Sequence, residues 1–93
     1  MEEKKIYDDG IKLVYPNPTT DWVNIHLAVS RSGNCTLRII DNTGKTIDTL
    51  LDQWIESGAY NFEYNTRDLP AGNYFLFLKS PSGESIKGIV VRL

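Results

Sequence analysis

Few residues of this chain have side chains that could do covalent or acid–base chemistry. His26 is the only histidine and Cys35 is the only cysteine. A nucleophile needs a base within hydrogen-bond reach, and a zinc site needs several His or Cys ligands. Nothing in the spacing pairs His26 with a nucleophile, and Cys35 has the strand parity of Leu37 and Ile39. We therefore expect an exposed strand histidine, a small buried cysteine, and no catalytic residue, metal or cofactor.

Two acidic stretches and one glycine could suggest an ion-binding site, but none of them has the features that such a site needs. The run Asp41-Asn42-Thr43-Gly44 has no further acidic ligands and no terminal bidentate Glu, so we interpret it as a hairpin turn and not as a calcium loop. The pair Asp8-Asp9 is interpreted as solvated charge on a linker. Gly72 precedes a strand, whereas a phosphate-binding loop would need a helix N-terminus after it.

The composition fits one small globular domain. The 93 residues are 41% hydrophobic and 24% charged, with a formal net charge of -2 and scattered lysines and arginines. This charge gives no electrostatic reason to bind nucleic acid. A single cysteine excludes an internal disulfide, and no apolar run approaches the length of a transmembrane helix.

Residues 1–10 carry no secretion signal and are predicted to be a linker or frayed end. We expect residues 11–93 to form the domain, and the chain to be a piece of a longer protein.

Alternating apolar residues predict strands. The clearest run places Val23, Ile25, Leu27 and Val29 on one face, and the segment that contains Cys35 repeats the pattern. Turn signals recur every eight to twelve residues or so, and no segment has a sustained helical period. We therefore predict an all-β fold, an immunoglobulin-like antiparallel sandwich of about seven strands.

Two of these strands are expected to be irregular. Residues 45–55 should form a bulged strand, because Leu50 falls out of parity with its apolar neighbours. Gly88 is predicted to mark a second bulge, since the apolar parity shifts between Ile86 and Ile89.

The stretch Leu69-Pro70-Ala71-Gly72-Asn73-Tyr74 is predicted to be a tyrosine corner, in which the ring is buried and the hydroxyl bonds back to the turn. Phe75 and Phe77 follow it on the next strand. They either lie in a core covered on both faces or belong to an exposed docking face. Trp22 and Trp54 are further candidates for an exposed aromatic set.

Four motifs in order resemble one known family. They are Val14-Tyr15-Pro16-Asn17-Pro18, Ile40-Asp41-Asn42-Thr43-Gly44-Lys45, the corner ending at Tyr74, and Ile86-Lys87-Gly88-Ile89-Val90-Val91-Arg92. Together they are similar to the C-terminal sorting domain of type IX secretion substrates, which ends secreted proteins of the Bacteroidetes. The resemblance covers residues 14–93. Within it, the residues expected to have structural roles are Pro16, Asn17, Pro18, Asp41, Gly44, Leu69, Pro70, Gly72 and Tyr74.

The resemblance implies a non-catalytic signal domain at the end of a larger cargo protein. The cargo would reach the periplasm through its own N-terminal signal, and the outer-membrane translocon of the type IX machinery would then recognise the folded domain. A sortase-like peptidase would cut in or before residues 1–10. The cargo would finally be attached to anionic lipopolysaccharide at the outer membrane surface, or be extracellular.

Carried over by position, the recognition residues fall on the final strand and its hairpin: Gly83, Lys87, Ile89, Val90, Val91, Arg92 and Leu93. The sequence departs from the family at Asn73, where a β-branched residue is usual, and at Gly88, where a second basic residue is common.

An exposed last strand would offer unpaired backbone groups for recognition by strand addition. Lys87 and Arg92 would then limit aggregation at this edge, and a weak homodimer through an edge strand is a further expectation. The alternative function is a permanently attached immunoglobulin-like accessory module that binds glycan or protein.

Overall fold

A computed structural model describes residues 9–92. Seven strands form two antiparallel sheets: β1 Gly10–Tyr15, β2 Trp22–Val29, β3 Gly33–Asp41, β4 Thr46–Ile55, β5 Gly58–Asn65, β6 Gly72–Ser80 and β7 Gly83–Val91. One sheet has the order β1-β2-β5 and the other the order β4-β3-β6-β7. The predicted all-β sandwich is confirmed. The described residues contain no helix that is long and apolar enough to cross a membrane.

The core lies between the two sheets and is built by strict alternation. In β2 the four residues Val23, Ile25, Leu27 and Val29 are buried, while their neighbours along the strand are half-buried or exposed. Buried residues of β3, β6 and β7 face them from the other sheet: Cys35, Leu37, Ile39, Leu76, Leu78, Ile89 and Val91. Full burial of an aliphatic side chain of this size contributes about 1.5–3 kcal/mol. The burial of these residues confirms the inward positions predicted for β2 and β3.

The predicted irregularity of β4 is also confirmed. Leu37 pairs with Leu51 and the next residue of β3 pairs with Thr49, which leaves Leu50 as an extra residue on β4. A second shift follows between Ile39 and Ile40. Since β4 is an edge strand, these bulges twist its free side and make strand addition there less favourable.

The tyrosine corner is present as predicted. The Tyr74 side chain is buried, and its hydroxyl donates a 2.7 Å hydrogen bond to the Pro70 carbonyl. Buried Thr66 supports the turn from below, because its N–H and its hydroxyl both donate to the Asp21 carbonyl, at 2.8 and 2.6 Å. The corner therefore joins the end of β5 to the start of β6 and to the loop before β2.

The bulge predicted at Gly88 is wrong. The pairing of β6 with β7 runs without a shift from Gly72 opposite Val91 to Ser80 opposite Gly83. The apolar parity changes because Ile86 is 60% exposed on the outer face, whereas Ile89 is 1% exposed in the core. An exposed isoleucine on an edge strand thus produces the same change of apolar parity as a bulge.

Candidate recognition site

The outer edge of β7 is not free along its second half. Residues 16–20, which we call the strap, lie along it. The Thr19 N–H donates to the Val90 carbonyl at 2.9 Å, and the Arg92 N–H donates to the Thr19 carbonyl at 2.7 Å. These bonds form an isolated parallel bridge between Thr19 and Val91. The expectation of an exposed last strand is therefore wrong here, and a homodimer paired along this stretch would have to displace the strap.

The Asn17 side chain makes hydrogen bonds to β7 that the backbones of Pro16 and Pro18 cannot donate. Its Nδ2 donates to the Gly88 carbonyl at 3.1 Å, and its Oδ1 accepts the Val90 N–H at 2.9 Å. Pro16 and Pro18 have no N–H to give, so the side-chain amide takes the place of a strand backbone. The sequence carried a signal for this role, namely an amide side chain between two residues that lack a donor.

The seven residues predicted for recognition lie in different environments. Gly83 and Lys87 are exposed, Val90 and Arg92 are half-buried, Ile89 and Val91 are in the core, and Leu93 lies outside the described residues. In the folded domain, a partner can reach the side chains of Lys87 and Val90 but not those of Ile89 and Val91. The strand is thus both a candidate recognition element and part of the core.

Arg92 connects the end of β7 to two loops. Its Nη1 donates to the Thr20 carbonyl at 2.9 Å, and its Nη2 donates to the Leu69 carbonyl. Its φ of 46° is in the left-handed region, which costs a residue with a side chain roughly 1–2 kcal/mol. Since its guanidinium already binds both loops, Arg92 is an anchor of the fold, in contrast to exposed Lys87.

The outer face of the four-stranded sheet carries an apolar surface beside β7. This outer patch consists of Ile40, Phe75, Phe77 and Ile86, with neighbours paired across β3, β6 and β7. Phe75 is 36% exposed, and Phe77 is half-buried with the Arg38 guanidinium 5.4 Å from its ring centre. A core covered on both faces is therefore wrong for the two phenylalanines. They belong to an exposed face, next to the Asp41 hairpin.

The two tryptophans do not join this patch. Trp22 and Trp54 are 49% and 59% exposed. Trp22 pairs with Asn65 in the three-stranded sheet. Trp54 is in the same sheet as the patch, but it pairs with Asn34 at the start of β3, whereas Ile40 of the patch is near the end of that strand. The two tryptophans and the outer patch therefore form no single aromatic platform in the described domain.

The Asp41 carboxylate serves the hairpin between β3 and β4. Its Oδ1 accepts the Thr43 hydroxyl at 2.6 Å and the backbone N–H groups of Thr43 and Lys45 at 2.9 and 3.0 Å. The bond from the Thr43 hydroxyl, followed by these N–H groups, lowers the pKa of Asp41. Gly44 closes the turn with a φ of 91°, so the predicted hairpin is confirmed.

The residues considered for chemistry are not brought together. His26 is half-buried on the outer face of β2, where its Nε2 lies 3.3 Å from the Tyr15 hydroxyl. Cys35 is buried between the sheets, as predicted, and burial, followed by the charge of Asp9, raises the pKa of its thiol. Among residues 9–92, no group of three or more His, Cys, Asp or Glu residues could hold a metal ion.

The acidic pair predicted on the linker is only partly described. Asp8 lies outside the described residues. Asp9 is half-buried and lines a small cavity with Ser82 and Ser85, so a fully solvated position is wrong for it. The N-terminal chain therefore packs near the β6–β7 hairpin from Asp9 onwards.

Comparison with known proteins assigns this fold to a family. Residues 13–92 match the family described as "Secretion system C-terminal sorting domain", and the chain belongs to that family. It is a type IX secretion sorting domain, a class of signal domain that is non-catalytic in general and that ends exported cargo proteins.

One solved structure shows the same fold. It is the crystal structure of dimeric latent PorU from Porphyromonas gingivalis, with a TM-score of 0.64 and 17% sequence identity. The alignment covers 92% of this chain and 10% of that chain, so this domain spans about a tenth of the other protein's length. No match was found among curated proteins.

Proposed function

We propose that this domain directs a larger cargo through the type IX outer-membrane translocon, and that the machinery recognises β7 and its hairpin. The family match over nearly the whole fold, terminal strand included, carries the proposal. The proposed recognition residues are Gly83, Lys87, Ile89, Val90, Val91, Arg92 and Leu93, of which Ile89 and Val91 would act by holding the strand in place from the core. Phe75 and Phe77 are proposed docking aromatics, because the outer patch adjoins the accessible face of this strand.

The later steps are proposed from the same family membership. The cargo passes through the periplasm, and a sortase-like peptidase cuts it from the domain in or before residues 1–10. The cargo is then anchored at the outer membrane surface or released. The described fold begins with β1 at Gly10, so a cut upstream of this residue would leave all seven strands on the removed domain.

The test must separate recognition from folding. Deletion of residues 89–93 would remove Ile89 and Val91 from the core and unfold the domain. A sharper variant is Ile86→Ser with Lys87→Glu, which changes two exposed residues of β7. Trp22→Ser with Arg67→Glu is a matched control, since it changes one exposed apolar and one exposed cationic residue outside the β7 surface.

Each variant is fused behind a reporter cargo in a host with type IX secretion. We expect the control to reach the cell surface or the medium, and the β7 variant to stay inside the cell. Urea unfolding of the isolated domains verifies that both are folded. Normal export of the folded β7 variant would refute the proposed recognition site.

The alternative is an accessory module that stays on its parent protein and binds glycan or protein. The separation of Trp22 from Trp54 gives no extended aromatic platform for a glycan. Intact parent protein in the medium, still carrying the domain, would favour this alternative.

A further inference from the structure

We infer that the strap is a latch on the sorting strand. It occupies the backbone edge that a strand-adding partner would use, and an extended segment of the secretion machinery gains this edge by displacing Asn17. This inference rests on the proposed function and adds a closed and an open state of the same site.

The strap and such a partner need the same hydrogen-bonding groups. In the closed domain Asn17 binds the Gly88 carbonyl and the Val90 N–H. Thr19 binds the Val90 carbonyl and the Arg92 N–H. Recognition by strand addition depends on main-chain groups of this kind. Partner and strap therefore compete for these groups. The partner's apparent affinity is its affinity for the open state multiplied by the fraction of domains that are open.

The contacts indicate where the latch opens. Asn17 is exposed and binds β7 through its side chain alone. Thr19, in contrast, is 1% exposed, and its hydroxyl donates to the Trp22 carbonyl at 2.9 Å. Release of Asn17 frees the Gly88 carbonyl and the Val90 N–H, whereas the Val90 carbonyl and the Arg92 N–H stay bound to Thr19. The first two groups can therefore open to a partner without unfolding of the domain.

Amide hydrogen exchange of Val90 measures the latch directly in the intact domain. In Asn17→Ala the N–H loses its acceptor, and we expect exchange to accelerate about fivefold or more. In Asn17→Asp the acceptor remains but the donor to Gly88 is lost, so two oxygens face each other and exchange should also accelerate. Asn65→Ala is the control, because it removes an amide that accepts the Arg67 N–H at 2.9 Å, away from β7. Exchange of Val90 at the wild-type rate in both Asn17 variants would overturn the latch.

Export of the reporter fusion tests the consequence. Asn17→Ala should be exported faster than wild type in a pulse–chase experiment, with Asn65→Ala unchanged. Slower or unchanged export of folded Asn17→Ala would overturn the latch, since the closed strap would then be neutral or part of the recognised surface. The proposed recognition site fails separately: it is refuted if the folded β7 variant is exported normally, whatever the exchange of Val90 shows.

Discussion

The hydroxyl of Tyr74 donates to the carbonyl of Pro70, and the neighbouring carbonyl of Leu69 accepts from the Arg92 guanidinium. The tyrosine corner is thus joined to the end of the terminal strand. A turn that sequence reading treats as a local motif holds residues that lie far apart in the chain.

Tyr74→Phe tests the strength of this corner. The substitution keeps the buried ring and leaves the Pro70 carbonyl without its partner, so we expect the free energy of unfolding to fall by about 1 kcal/mol. Urea unfolding measures the change. Tyr15→Phe is the control, since Tyr15 is exposed and should change stability by less than about 0.5 kcal/mol. Equal effects of the two variants would argue against a special role for the corner.

Truncation of the two isoleucines of β7 should change the stability of the domain by very different amounts. Ile89→Ala opens a cavity in the core and should cost about 2–5 kcal/mol. Ile86→Ala removes an exposed side chain and should change stability by less than about 0.5 kcal/mol. Denaturant midpoints of the two variants check this, and a large loss with Ile86→Ala would contradict the uninterrupted β6–β7 register.

Gly88 should tolerate a methyl group, although Gly10 should not. A Cβ on Gly88 would lie 3.7 Å from the Phe75 ring, an ordinary contact, and its backbone is extended. Gly88→Ala should therefore stabilise the domain by about 0.4–1 kcal/mol, because it restricts the unfolded chain. Gly10→Ala should destabilise, since its φ is 118° and the added atom would lie 2.8 Å from the Ser85 hydroxyl. Thermal melting of both variants is the measurement, and destabilisation by Gly88→Ala would contradict the described geometry.

Tyr64 should make the domain sensitive to alkali. Burial, followed by its 3.1 Å hydrogen bond to Asp48, raises the pKa of Tyr64 from 10.0 to about 12. The folded state holds the phenolic proton more tightly than the unfolded chain. The stability from this group is therefore fully present below pH 10 and is lost as the pH rises towards about 12. Urea unfolding across this range should show a smaller loss for Tyr64→Phe than for wild type, and parallel losses would contradict the assignment.

Local sequence patterns were sufficient for most of the fold. The alternation in β2 and β3, the Asp41 hairpin and the tyrosine corner all depend on residues within a few positions of one another. The same holds for the bulge at Leu50. Burial of every second residue requires apolar residues at alternate positions, and a tight turn requires turn-forming residues, so both features can be recognised in the local sequence.

The environment of β7 could not be read in this way. Asn17 and Val90 are 73 residues apart, and no period or turn motif reports that they touch. Whether Phe75 and Ile86 face solvent depends on which side of the sheet the second sheet covers, and apolar residues on an outer face resemble core residues in sequence. The seven recognition residues came from family resemblance, so their role stays a prediction.

The parallel alignment of the strap with β7 has a mechanical consequence. The strap is near the end of the domain that follows the cargo, and β7 is near the C-terminus. If the two ends were pulled apart, the bonds of residues 17–19 to residues 88–92 would be loaded in shear, all at once. A hairpin pulled open loses its bonds one at a time, whereas bonds loaded in shear share the force. A domain held at its C-terminus while a cargo pulls on its other end would therefore resist extension through these bonds.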